Sequence, residues 1–175
     1  ALSSAASDVY KRQHYMSIGK QLRLQYLKND NAERHHYDGA TVIVLVSNIT
    51  KVTMEAVDYA QSIGDYVVAM HVSFDVNPKK ELKTSTQFKL DFPDVRYVDI
   101  HSSYRSIVKP SLSFVDAVVK QAKKRNHSVT VLIPQFVPKQ PWQNILHNQN
   151  SLRLRAAFAA REDISVSTYY YHLSE

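Results

Sequence analysis

The sequence predicts an α/β fold on a small parallel sheet, and three observations carry the prediction. Thr41–Val46 (TVIVLV) and Tyr66–Ser73 (YVVAMHVS) are short, β-branched and almost wholly apolar, the pattern of strands buried on both faces. Stretches with one apolar stripe at helical spacing separate such runs. The intervals from strand to strand are long enough for a crossover helix, which a parallel pair needs and a hairpin does not.

Each element can be justified in turn. Thr41–Val46 is the first strand; Thr50 then offers a hydroxyl N-cap for a helix over Lys51–Ile63, with Val52, Ala56, Val57, Ala60 and Ile63 on its inner stripe. Gly64-Asp65 ends that helix, and Tyr66–Ser73 is the second strand. Asn77–Asp94 is polar, punctuated by Pro78 and Pro93, and reads as helical in part. Val95–Ile100 is a shorter third strand, and Ile107–Lys124 a helix whose inner face carries Leu112, Val115, Val118, Val119 and Ala122. Asn126-His127 turns the chain into Ser128–Pro134, the fourth strand. Trp142–Leu146 and Ser151–Ala160 read as a short and a longer helix. In Ile164–Tyr170 the residues Ile164, Val166, Thr168 and Tyr170 alternate with Ser165, Ser167 and Tyr169, as in a half-buried edge strand. Five strands joined by right-handed crossovers fit the flavodoxin-like order 2-1-3-4-5 or a close relative of it. Residues 40–175 form that α/β domain. Residues 1–39 comprise a leader over Ala1–Gln13, a loosely amphipathic helix near His14–Asp30 and a polar linker ending in Asp38-Gly39.

Composition narrows the chemistry. The 175 residues contain no cysteine, which excludes thiolate nucleophiles, disulfides and cysteine metal sites. Only three glycines occur, against an ordinary share of roughly 7%, and this argues against a glycine-rich phosphate loop. The longest apolar runs fall far short of the ~20 residues that a membrane helix needs. A net charge of +6 suits a phosphorylated ligand or acidic headgroups. The basic cluster Lys120, Lys123, Lys124 and Arg125 closes a helix, where the dipole favours it, and does not resemble a patch for nucleic acid polymers. The eight histidines lack ligand spacing, so no metal is expected. Nucleophile-elbow and Walker patterns are missing too, and an enzyme is not expected.

Ligands of open parallel sheets bind at the carboxyl ends of the strands, where loops and helix N-termini present unpaired N–H groups. Those positions are Ser47 and Asn48 after the first strand, His71 near the end of the second, and His101–Ser106 after the third. In the last of these, Ser103 and Ser106 offer hydroxyls, Tyr104 an aromatic face and Arg105 a forked donor, a set suited to a phosphate with a stacked base. The same residues also fit a plain helix cap beside a surface arginine. After the fourth strand, His147 and Asn148 precede Asn150 or Ser151 as a cap, with Arg153 and Arg155 on the first turns of the helix. Anion binding and simple capping are both open there. His71 equally fits a hydrogen-bonded core histidine, and Asp91, Asp94 and Asp99 read as turn residues around Pro93.

Three segments carry a family resemblance: HSSYRSIVKPSLSFVDAV (His101–Val118), VTVLIPQFVPKQPWQNILHNQNSLRLRAA (Val129–Ala157) and the ending Tyr169-Tyr170-Tyr171-His172-Leu173. From about Thr41 onward the chain resembles the cytosolic C-terminal domain of bacterial APC-superfamily permeases, which include amino acid permeases and KimA-type potassium importers. The resemblance implies a universal-stress-protein-like α/β/α sandwich at the cytoplasmic face of the cell membrane, following the last membrane helix of a homodimeric transporter. His14–Lys28 would be the connector. It also implies cyclic di-AMP as ligand, with Tyr104, Arg105 and Ser106 among its contacts, and inhibition of uptake as the response in KimA-type members. One departure stands out: ATP-binding universal stress proteins carry a glycine-rich loop after the fourth strand, and this chain has no glycine there. The sequence therefore leads to a regulatory domain of a permease. A ligand-free dimerisation module and a stand-alone nucleotide-binding stress protein are the alternatives.

Overall fold

In the computed structural model, residues 36–46, 48–73, 78–101, 107–137 and 149–172 are described, together with Met16. Two compact units divide the chain, Ala1–His36 and Tyr37–Glu175. The expected helix over His14–Asp30 and the short helix over Trp142–Leu146 lie outside the described residues, Met16 apart.

Strand β1 (Gly39–Val46) shows why the sheet is central: its side chains alternate between two separate cores. Val42, Val44 and Val46 enter one, and Ile43 enters the other. Helix α1 (Lys51–Ile63), strand β2 (Tyr66–Ser73), helix α2 (Pro78–Asp91) and strand β3 (Arg96–His101) follow. Helix α3 (Val108–Lys124), strand β4 (His127–Val137), helix α4 (Gln149–Ala159) and strand β5 (Ser165–His172) complete the domain. All four strand pairings are parallel, in the order β3-β2-β1-β4-β5. The fold is thus the expected open α/β sandwich, with the order 3-2-1-4-5 in place of 2-1-3-4-5. Two crossovers run outward from β1 on one face, and the next returns across the other, which places β4 beside β1.

Helices α1 and α2 cover the first core, where Ala56, Val57 and Ala60 meet Val42, Val44, Val67, Ala69 and Leu132. Phe88 and Phe92 close its outer end against Tyr97, with a 4.9 Å separation between the Phe88 and Tyr97 rings. These two aromatics anchor α2, which is otherwise polar and starts on Pro78, a residue preorganised for a first helical position. Helices α3 and α4 cover the second core through Val115, Val119, Ala122, Leu154 and Phe158 against Ile43, Met70, Val131 and Ile133. Burying each such side chain contributes about 1.5–3 kcal/mol, so neither helix layer needs strong intrinsic propensity.

Two inner stripes differ from the sequence reading. On α1, Thr53 is buried while Ile63, the last helical residue before Gly64, is 44% exposed. On α3, Ser111 is buried, and Leu112 and Val118 are half-buried. Gly64 has an ordinary extended φ of −121°, so its need is steric: a Cβ there would meet Val42 Cγ2 at 2.7 Å. Asn126 takes the left-handed region at φ 53°, which asparagine tolerates, and its Nδ2 donates to Asp38 Oδ2 at 3.0 Å.

Candidate ligand site at the carboxyl edge of the sheet

The direction of chain building reverses between β1 and β4, so the crevice of this sheet lies at the carboxyl ends of those two strands. Its floor is set by the β1–α1 turn. Thr50 N-caps α1 by accepting from Thr53 N at 3.4 Å, and the Thr53 hydroxyl donates to the Asn48 carbonyl at 2.6 Å. Two hydroxyls thereby fix how the amino end of α1 leaves the sheet, with its first-turn N–H groups toward the crevice. Lys51 adds a cation on that first turn, its ammonium 5.8 Å from the centre of the Tyr171 ring. A hydrogen bond to Tyr171 and the charge fields of Tyr171 and Glu55 hold the Lys51 pKa above its ordinary value, so it is charged at neutral pH.

One wall is a feature the sequence reading missed. The β1–β4 register runs to Val44 opposite Leu132, whereas β4–β5 continues to Val137 opposite His172. A two-stranded ribbon therefore stands past the end of β1. Strand alternation puts Phe136 and its register partner Tyr171 on the α1 side of that ribbon, and Phe136 is 46% exposed. Below them Tyr169 donates to Glu55 Oε2 at 3.3 Å, and its ring lies 5.5 Å from Tyr59. Burial, then the Glu55 charge, pushes the Tyr169 hydroxyl above its usual pKa. Tyr170, which the sequence alternation groups with Ile164, Val166 and Thr168, is 51% exposed, whereas Tyr169 and Tyr171 are half-buried. The signal available was the YYY run itself, which has no polar partner to fix its phase.

On the far side of β1, His71 pairs in register with Asp99, and Nδ1 lies 3.1 Å from Asp99 Oδ1. The His71 side chain is 10% exposed and stacks on Tyr97 at 5.9 Å. Asp99 is thus a strand residue bonded to the histidine, not the turn residue its nearness to Pro93 suggested. Val46 is the register partner of His71, which brings His71 and Asn48 to the same edge.

Of the remaining sequence-predicted residues, Arg153 lies exposed on α4, on the opposite face of the sheet, with no described contact to Asn48 or His71. Ser151 falls inside α4, which begins at Gln149, so neither Asn150 nor Ser151 is its N-cap. Ser47, Ser103, Tyr104, Arg105, Ser106, His147 and Asn148 lie outside the described residues. The structure does supply a neighbour of that region: Ser111, in the first turn of α3, is fully buried, and its hydroxyl has no hydrogen-bond partner among the described residues. Among the described residues no group of three or more His, Asp or Glu is placed to hold a metal ion, and no helix is long and apolar enough to cross a membrane.

Fold and edge together define an open, all-parallel α/β domain whose crevice is lined by a capped helix end, a lysine and an aromatic ribbon. Residues 34–171 match the family model described as the KimA potassium transporter C-terminal domain, and the chain belongs to that family. It is 40% identical over 164 residues to the potassium transporter KimA of Bacillus subtilis (strain 168). The match takes in 94% of this chain and 26% of the relative, so the chain spans about a quarter of that protein's length.

Proposed function

We propose that this chain is the regulatory domain of a membrane permease, carried at the cytoplasmic face of a homodimeric potassium transporter, and that it binds a nucleotide second messenger at the carboxyl edge of its sheet. Membership of the KimA C-terminal family is the observation that carries this reading. Cyclic di-AMP is the ligand whose chemistry fits best. Arg105 and the amino ends of α1 and α3 supply phosphate donors, and Tyr104, Phe136 and Tyr171 supply faces for adenine. Ser47, Asn48, Ser103, Ser106, His147, Asn148 and Ser151 offer hydrogen bonds around them, Lys51 adds charge, and His71 is positioned by Asp99. A two-fold dimer presents two copies of this edge to a two-fold symmetric dianion. Control of transport then follows from unequal affinity for two transporter states.

Calorimetric titration of the chain with cyclic di-AMP, beside ATP and AMP, tests this. Micromolar or tighter binding of the cyclic dinucleotide, abolished in Arg105→Ala and weakened in Lys51→Gln, is the expected result. Retained affinity in Arg105→Ala overturns the site, and no binding overturns the ligand. The second reading, a dimerisation module without ligand, rests on β5: its outer edge is unpaired among the described residues and carries exposed Tyr170. Under that reading a β5 edge variant such as Thr168→Pro lowers the mass seen in sedimentation, and the titration stays flat.

A further inference from the structure

At the opposite, amino-terminal end of the sheet, a cavity of about 280 Å³ opens between α3 and the starts of β2 and β3. Phe114, Val118 and Ala122 of α3 form one side, Val68 and Tyr66 of β2 the floor, and Arg96 and Arg125 the mouth. Among the described residues, no acidic side chain lines it. Strand register explains how the two arginines reach one cavity. Arg96 is the partner of Val68, and alternation places its side chain with Val68 and Tyr66 on the α3 face. Arg125 follows the last turn of α3, and its guanidinium sits 4.8 Å from the centre of the Tyr66 ring. That stacking holds one fork donor over the cavity with no described residue bonded to its side-chain N–H groups, since a cation–π contact consumes none of them. Arg96, at the start of edge strand β3, forms no ion pair with any described residue. An apolar slot with two guanidiniums at its rim and no carboxylate is complementary to one ligand chemistry: a small organic anion with an apolar body.

We propose that this cavity is a second ligand site, distinct from the carboxyl edge, for a small aryl or branched-alkyl carboxylate or phosphate. The guanidinium forks of Arg96 and Arg125 take the anionic group, and the ring or branched chain lies between Phe114, Val118 and Val68. The volume lies just below the ~300–1,000 Å³ usual for small-molecule sites, which fits a single ring and excludes a dinucleotide. The site does not rest on the regulatory reading, because it shares no residue with the crevice at the other end of the strands.

Amide chemical-shift mapping of the 175-residue chain tests it, with phenyl phosphate, phenylacetate and inorganic phosphate as probes. Phenyl phosphate and phenylacetate are expected to shift the amides of Val68, Val118 and Ala122 with a Kd of about 1 mM or tighter. Inorganic phosphate, lacking the apolar body, is expected to bind at least about tenfold more weakly. Arg125→Gln and Arg96→Gln each weaken the organic probes by about tenfold, as the loss of one charge-assisted fork implies. Both sites are exposed, and circular dichroism checks that the variants stay folded. Ala117→Trp, which plugs the exposed mouth, abolishes binding. Preference of phenyl phosphate over phenylacetate assigns a phosphate ligand, and the reverse a carboxylate. Absence of shifts at these amides with either organic probe overturns the site, as do equal shifts in wild type and the Arg96→Gln, Arg125→Gln double variant.

Discussion

Replacing Ser111 with alanine should stabilise the domain, against the usual direction for a core substitution. Ser111 is 0% exposed, and its Oγ has no partner among the described residues, although it sits in a helix one turn after Ile107. A buried hydroxyl without a hydrogen bond carries a desolvation penalty of about 1–3 kcal/mol, which Ser111→Ala removes. Alanine adds roughly 0.5 kcal/mol of helix propensity over serine. Against these stands the void left by one oxygen, close to the cost of a lost methyl, about 1 kcal/mol. The balance is a gain of about 1 kcal/mol. For a chain of this size that raises Tm by about 2–4 °C. Urea and thermal unfolding followed by circular dichroism, with the m-value unchanged, read the effect directly. A loss of about 1 kcal/mol or more would refute the reasoning, because it would mean that the hydroxyl is bonded, with the segment before α3 as the available source of a partner.

Two further predictions concern the loops. Arg161 donates to both carboxylate oxygens of Asp163, at 2.8 and 2.6 Å, and also to Asp116 on α3, so it ties the α4–β5 turn to the neighbouring helix. The guanidinium holds the Asp163 carboxyl below its ordinary pKa. A depressed folded-state value gives stability that is present above the unfolded pKa of about 3.9 and is lost as pH falls through the folded value. Arg161→Gln should therefore lower stability by about 1 kcal/mol at neutral pH, the half-exposed setting of Asp116 having been allowed for, and should flatten the acid limb of the stability profile below about pH 4. An unchanged acid limb would show that the pair is dispensable. Gly64→Ala should lose about 1–3 kcal/mol through overpacking against Val42, and Val42→Ala in the same chain should recover part of that loss. Additive effects of the two substitutions would mean that the close approach is not what requires glycine.

Most of the fold was legible because it rests on patterns that single residues carry. The limits of α1 and β2 follow from Thr50, Gly64-Asp65 and an apolar run that ends in Ser73, and all of them stand in the structure. Strand order was less legible, since 2-1-3-4-5 and 3-2-1-4-5 use the same alternation of elements and differ in whether the second or the third crossover returns past β1. Helix α2 was read only in part because Phe88 alone, with Phe92 just beyond its end, anchors it. Within the site, the Lys51–Tyr171 contact joins residues far apart in sequence, which no local spacing encodes, and the Thr53 bond to the Asn48 carbonyl depends on how the turn between them folds. His71 read correctly as a hydrogen-bonded strand histidine, whereas its partner Asp99 was hidden by Pro93, two residues before the start of the third sequence-predicted strand.

The missing glycine loop bears directly on how this edge can hold an anion. A phosphate cradle needs successive N–H groups turned toward one point, which glycine permits by taking unusual backbone angles. Here β4 runs on through Gln135–Val137, which are extended and paired with Tyr170–His172. Successive N–H groups of an extended strand point to opposite sides, and the β5 ladder engages one side, so they cannot converge. Among the described residues, the backbone donors left for an anion at this edge are those of helix ends, such as the α1 terminus held at the crevice by two hydroxyl contacts, and the remaining charge comes from side chains. Side-chain cations such as Lys51 are exposed and screened by salt, unlike an enclosed backbone cradle. A ligand bound at this edge should for that reason lose affinity steeply between low and physiological ionic strength, and a ligand able to stack on Phe136 and Tyr171 should lose less than ATP, whose charge is larger and whose base is single.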